Sequence, residues 1–244
     1  MTRSDLWDRA TAERYDADSS DMFSPEILDP AVDFLAELAA DGAALEFAVG
    51  TGRVAVPLAS RGVPVSGIEL SAPMVEQLRK KASADEIPVV VGDMTMSTMP
   101  GEFSVVFLVW NSLSNLVTQE EQVECFRNAA RHLRRGGRFV VELWVPELQR
   151  LSEGQTMAVG FTSPTHLVLD ELDLVTQGCI SHHYRHEADG TVRYGAGRFR
   201  YAWPAELDLM ARLAGMQLES RFADWSRNPF DSQSTSHISV WRKD

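Results

Sequence analysis

Leu45-Glu46-Phe47-Ala48-Val49-Gly50-Thr51-Gly52-Arg53 is the stretch that decides the fold. An apolar run breaks into a glycine-rich turn, and amphipathic sequence follows at once. Glycines at a strand-to-helix turn let a ligand approach the backbone, while free amides at the helix start face it. A second apolar run ends in Gly67-Ile68-Glu69-Leu70-Ser71. An acid about twenty residues beyond such a loop can accept both hydroxyls of a ribose whose adjoining group lies over the glycines. Loop and acid together point to an adenosine-containing ligand.

Working outward, the pattern predicts strands over residues 44–49, 63–69, 89–92, 104–110 and 137–143. Helices are predicted between them over 52–61, 72–81 and 119–134. Strands alternating with helices make parallel βαβ units, with helices on both faces of the sheet. Gly136-Gly137 is expected to end the last of these helices, since glycine adopts the left-handed cap cheaply. Before the loop, residues 1–40 read as a helical cover: Leu6, Trp7 and Ala10 share a face, Tyr15 follows, and a second helix starts near Pro25 or Pro30. After Pro146 the period changes to two over 166–174, 178–186 and 191–203, with a turn at Asp189-Gly190. That predicts an antiparallel insertion. A helix from Pro204 and two further strands, 216–225 and 236–242, return the chain to the main sheet. The expected architecture is α/β: a doubly wound, seven-stranded, mainly parallel sheet formed by residues 41–146 and 204–244. The helical cover spans 1–40 and an antiparallel β insertion at 147–203 serves as a substrate lid.

The chain has 244 residues, with 23 basic against 35 acidic side chains, a net charge of −12. Such a surface repels phosphate backbones and anionic headgroups, so neither nucleic acid nor membrane is expected as a partner. The two basic clusters, Arg79-Lys80-Lys81 and Arg134-Arg135, fall near predicted helix ends, where cations complement free carbonyls. The polar start Met1-Thr2-Arg3-Ser4-Asp5 lacks the apolar core of a secretion signal, and Cys125 and Cys179 make no disulfide framework. A cytoplasmic location and buried, inert thiols are expected.

Gly50-Thr51-Gly52-Arg53-Val54-Ala55 also satisfies the dinucleotide pattern, with alanine in the last place. A dinucleotide has little use for an acid at Glu46, whereas a cationic amino-acid moiety gives that acid a favourable environment. The third strand ends in Gly92-Asp93-Met94, a carboxylate and an apolar side chain suited to the amine and the face of an adenine.

These successive motifs, with the strand over 103–110, resemble in order and spacing those of class I S-adenosylmethionine-dependent methyltransferases. The resemblance implies S-adenosyl-L-methionine as cofactor and a Rossmann-like methyltransferase fold. Contacts are implied from Glu46, Ala48, Val49, Gly50, Gly52 and Arg53 around the methionine part, and from Glu69, Leu70 and Met74 around the ribose. Gly92, Asp93 and Met94 fall to the adenine, and Trp110 and Asn111 to the wall beyond the fourth strand. Ala48 stands where many members have glycine. More narrowly, Ala12-Glu13-Arg14-Tyr15-Asp16, Trp110-Asn111-Ser112-Leu113-Ser114-Asn115-Leu116 and the meander resemble actinobacterial small-molecule methyltransferases, including amino-sugar and lincosamide N-methyltransferases.

For the reaction, the expectation is methyl transfer to nitrogen, in second place oxygen, of a small metabolite, an amine, in natural-product biosynthesis. Tyr15 is the candidate for closing the site, Asn115 for orienting the acceptor and His183 for a base; Glu142 could attract a cationic amine. His182 and His183 cannot converge on one metal ion, because adjacent strand residues face opposite ways. The insertion is also the expected surface for a homo-oligomer. Three rivals are a cyclase on the same fold, a non-catalytic cofactor-binding accessory protein and an NAD-dependent oxidoreductase.

Overall fold

The computed structural model describes residues 7–146, 148 and 151–244; Leu6 and the polar run before it lie outside them. Two helices, α1 (Arg9–Asp18) and α2 (Pro25–Ala39), lead into β1 (Ala44–Phe47), α3 (Ala55–Ser60), β2 (Val65–Glu69), α4 (Ala72–Leu78), β3 (Val89–Val91), β4 (Phe103–Leu108), α5 (Gln119–His132) and β5 (Leu133–Trp144). The insertion follows as β6 (Met157–Thr162), β7 (His166–Asp173), β8 (Gly178–His186) and β9 (Val192–Arg200). The chain ends with α6 (Pro204–Leu213), β10 (Met216–Phe222) and β11 (Ser236–Lys243).

The main sheet has seven strands in the order β10-β11-β5-β4-β1-β2-β3. Pairing is parallel from β3 through β5, and β11 runs antiparallel to both β5 and β10. β4 is buried at every residue, which is why, Ser104 apart, its sequence is apolar throughout rather than alternating. Alternation instead sorts β4 residues between two cores: Val106 and Leu108 meet α5 and α6, while Val105 and Phe107 meet α2 and α3. Strand order reverses between β1 and β4, and an open α/β sheet leaves a crevice at that point, beyond its carboxyl ends. Among the described residues no helix is long and apolar enough to cross a membrane.

Two sequence expectations need correction. Gly136-Gly137 does not cap α5, which ends at His132; both glycines lie inside β5. Gly136 has φ +72°, and the register against β4 shifts between Phe103 and Val105. A Cβ on Gly137 would lie 2.9 Å from the Arg134 carbonyl oxygen and 3.0 Å from that of Phe103. The pair therefore makes a strand irregularity, and Arg134-Arg135 sits exposed on a strand rather than at a helix end. The second correction is β6, which was not anticipated because Gly160 and a register shift between Val159 and Phe161 break its alternation.

The insertion is a separate four-stranded antiparallel sheet, β6-β7-β8-β9. Arg200 moors it to the main domain: Nη1 donates to Gln122 Oε1 at 2.6 Å and Nη2 to Glu206 Oε1 at 2.7 Å. Gln122 Nε2 returns a bond to the Arg200 carbonyl at 3.2 Å. Arg200 and Gln122 are both buried, so this mooring must stay paired.

Candidate active site

A cleft opens beyond the carboxyl ends of β1 to β4. Of the residues selected from sequence it gathers Ala48, Glu69, Leu70, Gly92, Asp93, Met94 and Asn115, and adds Trp7, Ile68 and Leu116. The turn from β1 to α3 forms its floor, with Ala48, Gly50 and Gly52 at φ +53°, +56° and +82°. Gly52 has a further reason to lack a side chain, since a Cβ there would lie 2.1 Å from Leu78 Cδ1. Ala48 holds the left-handed conformation at a cost of about 1–2 kcal/mol.

Glu69 braces this turn. Its Oε2 accepts from the Gly50 amide at 2.9 Å and its Oε1 from the Ser71 amide at 2.8 Å. Burial raises its pKa, opposed by those amides. Each carboxylate oxygen keeps a second lone pair for a ligand hydroxyl.

Glu46 is stranded deeper, 3 % exposed, and its Oε2 has no hydrogen-bond partner among the described residues. Burial pushes its pKa to about 8; the Arg53 guanidinium and the Ala55 amide oppose this, and Glu69 adds to it. A buried carboxylate oxygen without a partner is costly. A ligand that brings a cation to this turn, such as an amino-acid ammonium, removes that cost, so the residues present fit such a group.

The N-terminal helix is latched across the turn. Thr51 Oγ1 donates to Asp16 Oδ1 at 2.6 Å, Lys81 pairs with the same carboxylate, and Lys81 Nζ reaches the Thr51 carbonyl at 3.0 Å. Lys81 is thus a clamp and not a solvated helix end. Ser71 Oγ donates to the Trp7 carbonyl at 2.6 Å, and Arg9 pairs with Glu76. Inside this cover the Trp7 and Tyr15 rings meet edge-on at 5.8 Å. Burial first, then the carboxylates of Asp16, Glu46 and Glu69, hold the Tyr15 phenol protonated, with Arg53 opposing.

Asp93 closes a local turn, its Oδ1 accepting from the Thr95 amide and hydroxyl, both at 2.8 Å. Val49 packs in the core and Met74 is buried; neither lines the cleft. Trp110 and Asn111 are consecutive non-glycine residues at φ +54° and +57°. Glu142 holds that strained corner: its Oε2 accepts from the Trp110 amide at 2.7 Å and its Oε1 from Trp225 Nε1 at 2.8 Å. Glu142 is therefore bound to the protein itself. The Trp110 ring turns outward, with Arg53 over it at 5.2 Å and Trp144 edge-on at 6.3 Å. Asn115 Nδ2 donates to the Ser112 carbonyl at 3.0 Å, while its buried Oδ1 has no partner among the described residues.

His182 and His183 leave β8 on opposite faces: His182 meets Tyr194 and Glu171, His183 meets His166 and Ser181. His183 does not line the cleft. Burial pushes the Cys179 thiol up to about 12 and raises that of Cys125 further, so neither is a nucleophile near neutral pH. Sequence reasoning missed Trp7, the Asp16–Thr51–Lys81 latch and His166. Each acts across a long sequence separation that no local spacing reveals.

A family profile for the methyltransferase domain matches residues 44–137, from β1 into β5. The CcbJ methyltransferase from Streptomyces caelestis is 42% identical, with a TM-score of 0.79 over 88% of both chains. The cypemycin N-terminal methyltransferase of Streptomyces sp. is 26% identical over 98% of both chains. The SAM-bound CalS10 of Micromonospora echinaspora, an amino pentose methyltransferase, shares the fold at 19% identity, with a TM-score of 0.68 over 89% of this chain and 91% of that one. Together with the cleft, these likenesses establish that the chain belongs to the S-adenosylmethionine-dependent methyltransferases.

Proposed function

We propose that this methyltransferase acts on an amine nitrogen of a small metabolite in natural-product biosynthesis. The observation that carries the cofactor placement is the unpartnered, buried Glu46 Oε2 at the glycine turn. In this reading Glu46 takes the methionine ammonium and Arg53 its carboxylate. The backbone of Ala48 to Gly52 lies against the chain between them. Glu69 holds the ribose hydroxyls, Leu70 and Met94 flank the adenine, Asp93 accepts from its amine, and Gly92, where a Cβ would lie 2.2 Å from Ser97 Oγ, lines the adenine with backbone. Val49 and Met74 support this surface from behind.

The bound cofactor supplies a methyl group already activated on a sulfonium, so most of the remaining acceleration comes from alignment and exclusion of water. Tyr15 and Trp7 cover the sulfur end under the latched helix. Asn115 Oδ1, buried without a partner, is suited to accept an N–H of the incoming amine. Trp110 and Asn111 wall the acceptor side, and the insertion with His183 forms the lid. Nitrogen is favoured because two solved structures that share the fold, at 20% and 22% identity, are named as a glycopeptide N-methyltransferase and a sugar N-methyltransferase. The outward face of the insertion exposes Met157, Val159, Val192 and Tyr194, where a second copy would pair; light scattering reads that assembly.

The test is transfer of labelled methyl from S-adenosylmethionine to a panel of amino sugars, cyclic imino acids and short peptides. Labelled N-methyl product from at least one amine supports the reading. Tight S-adenosylhomocysteine binding without transfer to any amine overturns it, in favour of oxygen transfer or a cyclase-like activity.

A further inference from the structure

The face of the insertion carrying His183 is its inner one, where Val168 and Ser181 are buried. The face reaches from the Arg200 mooring, where β9 packs on the turn Ser112–Asn115, to His166 at its other end, on which the Asp18 charge at the end of α1 acts. On this face four side chains form one hydrogen-bonded chain. Ser181 Oγ donates to Asp170 Oδ1 at 2.6 Å, His183 Nε2 lies 3.3 Å from Ser181 Oγ, and His183 Nδ1 lies 3.0 Å from His166 Nε2.

The chain fixes its own proton positions. Asp170, as a carboxylate, only accepts, so the Ser181 hydroxyl proton points to it. The remaining Ser181 lone pair then accepts Nε2–H of His183, which leaves His183 Nδ1 as an acceptor. That nitrogen takes Nε2–H of His166, so His166 Nδ1 carries an open lone pair, with no hydrogen-bond partner among the described residues. Both His183 nitrogens are engaged; His166 alone presents a basic nitrogen. Gly160 makes space for the anchor, since a Cβ there would lie 2.3 Å from Asp170 Oδ2.

We propose that His166 accepts the proton of the methyl acceptor's ammonium, with His183, Ser181 and Asp170 as the positioning chain that sets its tautomer. This rests on the amine-methylating function proposed above. The acceptor N–H bond breaks with its electron pair left on nitrogen, and the proton binds His166 Nδ1. The freed pair forms the nitrogen–carbon bond as the carbon–sulfur bond breaks, and that pair goes to sulfur. The imidazolium shares its charge along the chain toward Asp170. Arg185, Arg193 and His183 face His166 and lower its pKa after burial does; Asp18 opposes them. His166 is thus neutral, and a base, at neutral pH.

Two experiments decide it. Nitrogen-15 correlation spectra of the histidine rings in the S-adenosylhomocysteine complex at pH 8 should show His166 and His183 both as Nε2–H tautomers. Ser181→Ala should release His183 from that tautomer, and Ser181→Thr should restore it. An Nδ1–H tautomer for His166 overturns the proposal without touching the proposed function. Using whichever amine of the panel is methylated, His166→Gln should lower kcat about 100-fold at pH 7. The deficit should shrink as pH rises and the amine deprotonates unaided, with KM for S-adenosylmethionine unchanged. His182→Gln, on the opposite face, should behave as wild type. A wild-type rate for His166→Gln, or an equal loss at every pH, overturns the base role. Absence of transfer to every amine instead removes the proposed function, and the tautomer spectra remain informative on the chain itself.

Discussion

Glu46→Gln should stabilise the ligand-free protein progressively, relative to wild type, as pH rises. Burial moves this carboxyl from 4.5 to about 8. The raised pKa means that the folded state holds a proton which the unfolded state has already lost. Below about pH 4.5 both states are protonated and the group is neutral in its effect. Between 4.5 and 8 wild-type stability falls by about 1.4 kcal/mol per pH unit, reaching at most about 5 kcal/mol, and above 8 the loss levels off. Glutamine cannot ionise, so the difference between variant and wild type should open across that window. Denaturant unfolding at intervals from pH 5 to 8.5, without ligand, measures it. The second half concerns the cofactor product: an ammonium at Glu46 requires the ionised carboxylate. Affinity of wild type for S-adenosylhomocysteine should therefore fall about tenfold per pH unit below 8, and that slope should vanish in Glu46→Gln. Parallel stability curves for the two proteins, or an equal binding slope in both, would refute the placement of Glu46.

Glu69→Ala should weaken S-adenosylhomocysteine binding by about 1–3 kcal/mol through loss of the ribose partner; calorimetric titration of the folded variant reads it, and unchanged affinity would mean the ribose lies elsewhere. Gly52→Ala should destabilise the fold by more than about 2 kcal/mol, because the left-handed backbone and the overlap with Leu78 add together. Urea unfolding checks this, and a neutral result would show that the turn relaxes. Arg200→Ala should cost about 1–3 kcal/mol: the buried Gln122 Oε1 loses its donor, and Glu206 loses its cation while keeping Gln119 and Gln177. Hydrogen exchange should then show the insertion opening before the main sheet, and uniform loss across both sheets would contradict the mooring.

The main sheet and the cleft floor were legible because their signals are local. Gly50, Gly52 and Glu69 announce a turn and a facing acid at a spacing fixed by one βαβ unit, and the apolar run of β4 announces burial on both faces. Signals failed where tertiary pairing overrode propensity. Gly136-Gly137 carries the composition of a helix cap, yet it falls between the Leu133 and Arg138 pairings to β4, where the register shifts, and so makes a strand irregularity. Gly160 hides β6 by breaking its alternation. Glu142 looks available for a ligand until the backbone of Trp110 and the indole of Trp225 claim both its oxygens. His166 gained a role only through the register that brings it to His183 across two strands. Asp16, Thr51 and Lys81 meet over separations of 30 residues and more, and no one-dimensional pattern links them.

A crystal grown with S-adenosylhomocysteine puts the whole account at risk in one measurement. It should show the ribose hydroxyls on Glu69, the amino group within hydrogen-bond distance of Glu46, and the thioether sulfur beneath Trp7 and Tyr15. Density for the nucleoside elsewhere, or a glycine turn that holds nothing while the ligand binds in solution, would contradict the account at its root.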